Sequence, residues 1–162
     1  MGVRRTLLPR SDERGVAALE AALIAPVLLL AGMAVIDASY MVLTIHKVES
    51  GLTAGAAYLA RSRDPAANSG LGQNVAVTGN PAGTGKSIAK GWEASDVTVF
   101  VDTVENIGGS SGKDTVLRGG DTIRVIRMTT NYQYQGLGLL KLMGVGQMQL
   151  SATHEERAFG AR

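Results

Sequence analysis

The sequence contains no cysteine, few aromatic residues and only two histidines. Without cysteine the chain forms no disulfide, has no thiol nucleophile and offers no thiolate ligand to a metal. The two histidines, His46 and His154, are far apart and do not form a metal-ligand motif. The acidic residues of the folded part are scattered singly, and no catalytic set emerges from them. We therefore expect no metal site, no cofactor and no enzymatic activity.

The excess positive charge of the chain is confined to its first fifteen residues. The formal net charge at pH 7 is +2. Arg4, Arg5, Arg10 and Arg14 lie in this segment with two acidic residues, and the basic and acidic residues of the remainder balance. A nucleic-acid-binding protein would carry a basic patch in its folded part. The distribution predicts a basic leader over residues 1–15 and no nucleic-acid partner.

A long apolar block follows this basic start. Residues 21–36 contain no charged side chain, and extending the block back to Val16 adds one carboxylate, that of Glu20. A helix needs about 20 apolar residues to span a hydrocarbon core of about 30 Å. Residues 16–43 therefore predict a transmembrane helix in contact with the lipid bilayer. The arginines before it predict a cytoplasmic N-terminus.

Three interpretations of the block are open. A cleavable secretory signal has a shorter apolar region, of about 7–15 residues. A plain signal-anchor fits the length but gives Glu20 no partner, although a carboxylate in a membrane span is costly. The third starts from RGVAALE, residues 14–20, which looks like the processing site of type IV pilins, cut after the glycine. A new ammonium on Val16 would then pair with Glu20 of a neighbouring subunit, displaced by about 6 Å along the helix axis.

The wider N-terminal segment resembles the TadE family of pseudopilins from tight-adherence (Flp) pilus systems. The matching positions are Arg14, Gly15, Glu20, Ala22, Leu23, Pro26 and the segment AAYLAR, residues 56–61. The resemblance implies a minor pseudopilin-like subunit, cut between Gly15 and Val16 by a prepilin peptidase and assembled through Glu20. It also implies other pilin-like subunits and the inner-membrane platform as partners. The implied location is the bacterial inner membrane, single-pass, with the C-terminal domain in the periplasm.

Periodicity in the remaining chain predicts an α+β fold. Apolar residues at helical spacing continue the helix beyond the membrane to the Asp64-Pro65 pair, and Pro26 predicts a kink within it. Alternating valines from Val97, with two later strand-like segments over residues 121–130 and 147–154, predict three or four antiparallel strands packed against the helix. A further strand candidate is Asn74–Thr78. The expected division is a leader over 1–15, a transmembrane helix over 16–43, its soluble continuation over 44–63, a Gly/Asn/Pro-rich connector over 64–95 and a β domain over 96–162.

Two segments invite other interpretations. Residues 75–87, VAVTGNPAGTGKS, approach a phosphate-binding loop, but Asn80 stands where that pattern requires its first glycine. We interpret them as a connector and expect no small-molecule substrate. A nucleotide-binding enzyme using Lys86 and a membrane-anchored periplasmic binding module unrelated to pili are the alternatives. The apolar loop over residues 137–145 is either an exposed assembly surface or part of the core.

Overall fold

The computed structural model describes residues 13–107, 122–142 and 144–158, and the predicted α+β class is confirmed. The elements in chain order are helix α1 (Glu13–Ala60), helix α2 (Ser69–Thr78), a 3₁₀ turn (Ala94–Asp96), strand β1 (Val97–Glu105), strand β2 (Thr122–Gln133), the short helix α3 (Leu139–Leu142) and strand β3 (Gln149–Arg157). The three strands form one antiparallel sheet in the order β1-β2-β3. We call everything after α1 the head domain.

Helix α1 combines the predicted membrane helix and its soluble continuation in one element. Its 48 residues give it a length of about 72 Å at 1.5 Å per residue. The predicted apolar stripe is present, because Val48, Leu52, Ala56 and Leu59 are all buried against the head domain. The helix ends slightly earlier than predicted, because the Ser62 N–H donates to the Leu59 carbonyl at 2.9 Å and so tightens the last turn.

The strand predicted over Asn74–Thr78 is wrong, because these residues form the second half of helix α2. β-branched valines favour a strand locally, but the buried residues of this segment are spaced as on one face of a helix. Gly72, Val75 and Ala76 recur at helical intervals and are buried against α1. The helix stops at Gly79, whose φ of 72° is the left-handed conformation that glycine adopts without strain and whose N–H caps the Val75 carbonyl.

Close contact between α1 and α2 depends on glycine. A Cβ at Gly55 of α1 would lie 2.7 Å from the Gly72 carbonyl oxygen of α2, and one at Gly51 would lie 2.4 Å from the Ala76 carbonyl oxygen. Side chains at these positions would push the two backbones apart. The glycines therefore fix how near α2 approaches α1, and with it the position of the loop that leads to β1.

Alternation along the strands gives the sheet one face against the helices and one face toward solvent. Register pairs Val99 with Met128 and Met128 with His154, so these three side chains share the helix-facing side. The buried polar groups on this side are satisfied. The Trp92 indole N–H donates to the Thr130 hydroxyl at 3.0 Å. The core therefore lies between α1, α2 and the sheet, well away from the N-terminal half of α1.

Candidate membrane-spanning and assembly surface

The N-terminal half of α1 presents a continuous exposed apolar surface. All residues from 15 to 32 are exposed, with Leu23 at 69% and Leu28 at 65%. The helix is long and apolar enough to cross a membrane. An apolar face of this size is not left in water by a monomeric soluble protein. The surface therefore fits a single-pass membrane helix, which a bilayer or neighbouring helices would cover.

The predicted processing site lies in the first turn of α1. Gly15 and Val16 follow two and three residues after the start of the helix at Glu13. The processing itself stays a prediction.

Glu20 lies on the exposed surface one turn beyond Val16. Within the part of the chain that the structure describes, no side chain forms an ion pair or hydrogen bond with its carboxylate. A carboxylate inside a bilayer is costly when it has no partner. Any ionic partner of the Glu20 carboxylate therefore lies outside the described part of this chain.

The other predicted positions in this region are only partly described. Arg4, Arg5 and Arg10 lie outside the described residues, and Arg14 is placed only through its backbone, in the first turn of α1. Pro26 lies inside α1, which continues past it on both sides. The kink expected at Pro26 stays a prediction.

A contact that the sequence did not predict joins α1 to the head domain at the end of the apolar surface. Asp37 is only 1% exposed although it lies in an apolar stretch of the helix. Its Oδ1 atom accepts a hydrogen bond from the Tyr134 hydroxyl at 3.0 Å and another from the Leu137 N–H at 3.2 Å. The Tyr134 hydroxyl also lies 3.2 Å from the Asp37 carbonyl oxygen. We call Asp37, Tyr134 and Leu137 the exit junction.

The exit junction is buried and closely packed around the Tyr134 hydroxyl and Gly136. Burial, reinforced by the hydrogen bond to Asp37, raises the pKa of the Tyr134 hydroxyl above its ordinary value of 10.0. A Cβ at Gly136 would lie 2.6 Å from Asp37 Oδ1 and 2.5 Å from the Tyr134 ring, so only glycine fits there. The one sequence signal for this junction is a lone acid in an apolar run, which by itself points to no partner.

The ion pairs described in the head domain are exposed or half-buried. Arg127 pairs with Asp102 across the outer face of the sheet and lies 3.7 Å from Glu155. His154 Nε2 lies 3.4 Å from the Glu156 carboxylate. Among the described residues, no group of three or more His, Asp or Glu could hold a metal ion. The two pairs of Arg127 are of the exposed kind that contributes little to stability, at most about 1 kcal/mol each.

The segment that approaches a phosphate-binding loop lacks the required arrangement. Such a loop joins a strand to the N-terminus of a helix. Here helix α2 precedes the loop, and turns and the 3₁₀ element at Ala94–Asp96 follow it. Lys86 is exposed on this connector. The geometry therefore gives the nucleotide-binding alternative no support.

Comparison with known families identifies the N-terminal helix. The model of the TadE-like protein family matches residues 15–57. This segment is TadE-like. The match runs from the predicted processing site through most of α1, and it confirms the resemblance seen in the sequence. No curated protein and no solved structure matches the chain.

Proposed function

We propose that this chain is a minor pilin-like subunit of a tight-adherence pilus system, processed after Gly15 and held in the inner membrane by α1. The observation that carries the proposal is the TadE-like match on a helix whose residues 15–32 are all exposed and, apart from Glu20, uncharged. A helix that served only as a core element would be covered by its own domain. This one extends beyond the head domain and offers its surface to lipid and to other subunits.

Charge distribution supports a cytoplasmic N-terminus and a periplasmic head domain. Four arginines precede the membrane span, whereas Lys47 is the first basic residue after it and Arg61 the next. Positive residues near a span favour the cytoplasmic side. The leader would then face the cytoplasm, where a prepilin peptidase would cut, and the head domain would be available to pilus components outside the membrane.

The proposed role of Glu20 is to pair with the new N-terminal ammonium of an adjacent subunit. Along one helix, the ammonium of Val16 and the Glu20 side chain are separated by about one turn, or about 6 Å. A neighbour displaced along the axis brings the two charges together and relieves both in the bilayer. Glu20 is therefore useful in an assembly and a burden to a solitary anchor.

The test compares the neutralisation of two exposed carboxylates on the same helix. Glu20→Gln should leave cleavage and membrane level unchanged and abolish pili, because the neighbour's ammonium loses its partner. The matched control is Glu49→Gln, which removes only a surface contact with His46 at 3.5 Å and should leave piliation normal. Intact mass of the extracted protein shows cleavage, and electron microscopy of the cells scores the pili.

Three outcomes would contradict the proposal at different points. A protein that keeps Met1 in a cell with a working pilus system would exclude processing after Gly15. Normal piliation by Glu20→Gln, at normal protein level, would favour a plain membrane-anchored binding module. Activity of a cytoplasmic reporter, but not a periplasmic one, fused after Arg162 would reverse the orientation.

A further inference from the structure

A loop between β2 and β3 lies against α1 where the helix leaves its exposed apolar stretch. We define the exit loop as residues 136–142 and 144–148. Helix α3 within it packs on α1. The exit loop contains no acidic residue, and its only charge is Lys141. Of its side chains that the structure describes, none belongs to the core cluster of the head domain.

Three large apolar side chains of the exit loop are exposed. Leu137 is 54% exposed, Val145 37% and Met148 36%. The loop meets α1 at Asp37, where the Leu137 N–H donates to the carboxylate. This position follows directly along the chain after Val35 and Ile36, which are 66% and 55% exposed. An apolar patch that extends a membrane-spanning surface indicates contact with the same solvent, which is lipid.

Distance along the helix places this patch at the boundary of the bilayer. Asp37 is 21 residues beyond Val16, which corresponds to about 32 Å of helix. The hydrocarbon core is about 30 Å thick, so a span that begins near Val16 ends near Asp37, before the bound at residue 43 expected from the sequence. Interfacial elements bury their apolar side about 5–10 Å into the headgroup and acyl boundary. Leu137, held at the level of Asp37, lies in that zone.

We propose that the exit loop is a membrane-contacting element, with Leu137, Val145 and Met148 in the lipid interface on the side of the head domain. Lys141, exposed at the end of α3, would extend its charged group to lipid phosphates while its stem stays with the apolar side chains. The head domain is then attached to the bilayer at two places, through α1 and through the exit loop. This restricts how it can tilt about the helix and fixes which face it turns to neighbouring subunits. The proposal rests on the membrane span proposed above.

The absence of cysteine allows a direct test on the full chain. Single-cysteine variants would be labelled with an environment-sensitive fluorophore and reconstituted, at most one protein per vesicle, in phosphatidylethanolamine–phosphatidylglycerol vesicles. The test site is Leu137→Cys, with Val145→Cys as an independent second site. The matched aqueous control is Val104→Cys, whose residue is 52% exposed near the opposite end of the sheet. Leu29→Cys, at a residue 65% exposed, reports the span itself.

Labels at Leu137 and Val145 should show blue-shifted emission, loss of quenching by aqueous iodide and quenching by spin-labelled lipid. The label at Val104 should show none of these. Water-like behaviour at Leu137 and Val145 with a lipid-like signal at Leu29 would overturn the loop proposal alone. A water-like signal at Leu29 would overturn the membrane span. Protection at Leu137 that appears only at high protein density would show that a neighbouring subunit, not lipid, covers the loop. Unchanged emission from Trp92 shows that each variant is folded.

Discussion

The Tyr134 hydroxyl is the most direct point at which to test whether the exit junction holds the head domain to α1. Tyr134→Phe removes the group that donates to Asp37 Oδ1 at 3.0 Å and leaves the ring in place. The substitution removes one hydrogen-bond donor from a carboxyl group that is only 1% exposed. Removing one partner of a buried polar group costs about 1–3 kcal/mol. We expect the free energy of unfolding of the head domain to fall by that amount.

The assay is denaturant unfolding of the detergent-solubilised protein, followed by the emission of Trp92. This is the only tryptophan of the chain, and it is buried in the core. Tyr40→Phe is the matched control. Tyr40 is half-buried on α1 and its ring lies 6.3 Å from that of Tyr134, but its hydroxyl makes no hydrogen bond among the described residues. Equal stability of the two variants would refute the role given to the junction.

Three further perturbations test the packing around α1. Gly136→Ala should displace the loop from Asp37 and destabilise the head domain by about 1–3 kcal/mol, whereas Gly146→Ala, with open space around its Cβ, should be nearly neutral. Gly55→Ala should likewise destabilise by separating α1 from α2, whereas Gly70→Ala, also open, should stabilise α2 by up to about 1 kcal/mol. Both pairs are read by the same unfolding assay, and equal effects within either pair would contradict the contacts described. Folding raises the pKa of Tyr134, so the unfolded state loses its phenolic proton first as the pH rises. The free energy of unfolding should therefore fall above pH 10.0, by up to about 1.4 kcal/mol per pH unit. The fall should be smaller in Tyr134→Phe.

Local patterns predicted the strands because each pattern depends only on neighbours in the chain. The valines from Val97 alternate as expected of a half-buried strand, and β1 begins there. The exact ends of a strand are predicted less well than its presence. The last strand was expected over residues 147–154 and occupies Gln149–Arg157, because the pairing of its far end with β2 extends the ladder beyond the apolar residues.

Helix α2 and the exit junction could not be predicted in this way. Two valines in a short segment favour a strand. The segment is helical because α1 comes close enough at Gly55 to bury one face of α2, including Val75. Asp37 and Tyr134 are 97 residues apart, and neither belongs to a motif. Their contact exists because the sheet folds back along α1 and brings the end of β2 to the end of the apolar helix surface.

The sequence by itself determined the long apolar helix, its basic start, the position of Glu20 and the α+β class. These follow from composition and periodicity, which act over a few turns of helix or a few residues of strand. Only the tertiary structure decided which part of α1 is covered, that Asp37 is buried there, and that the apolar exit loop lies beside the helix where it leaves the membrane span. Those features depend on burial between distant segments, because a side chain's environment is set by whatever the fold places against it.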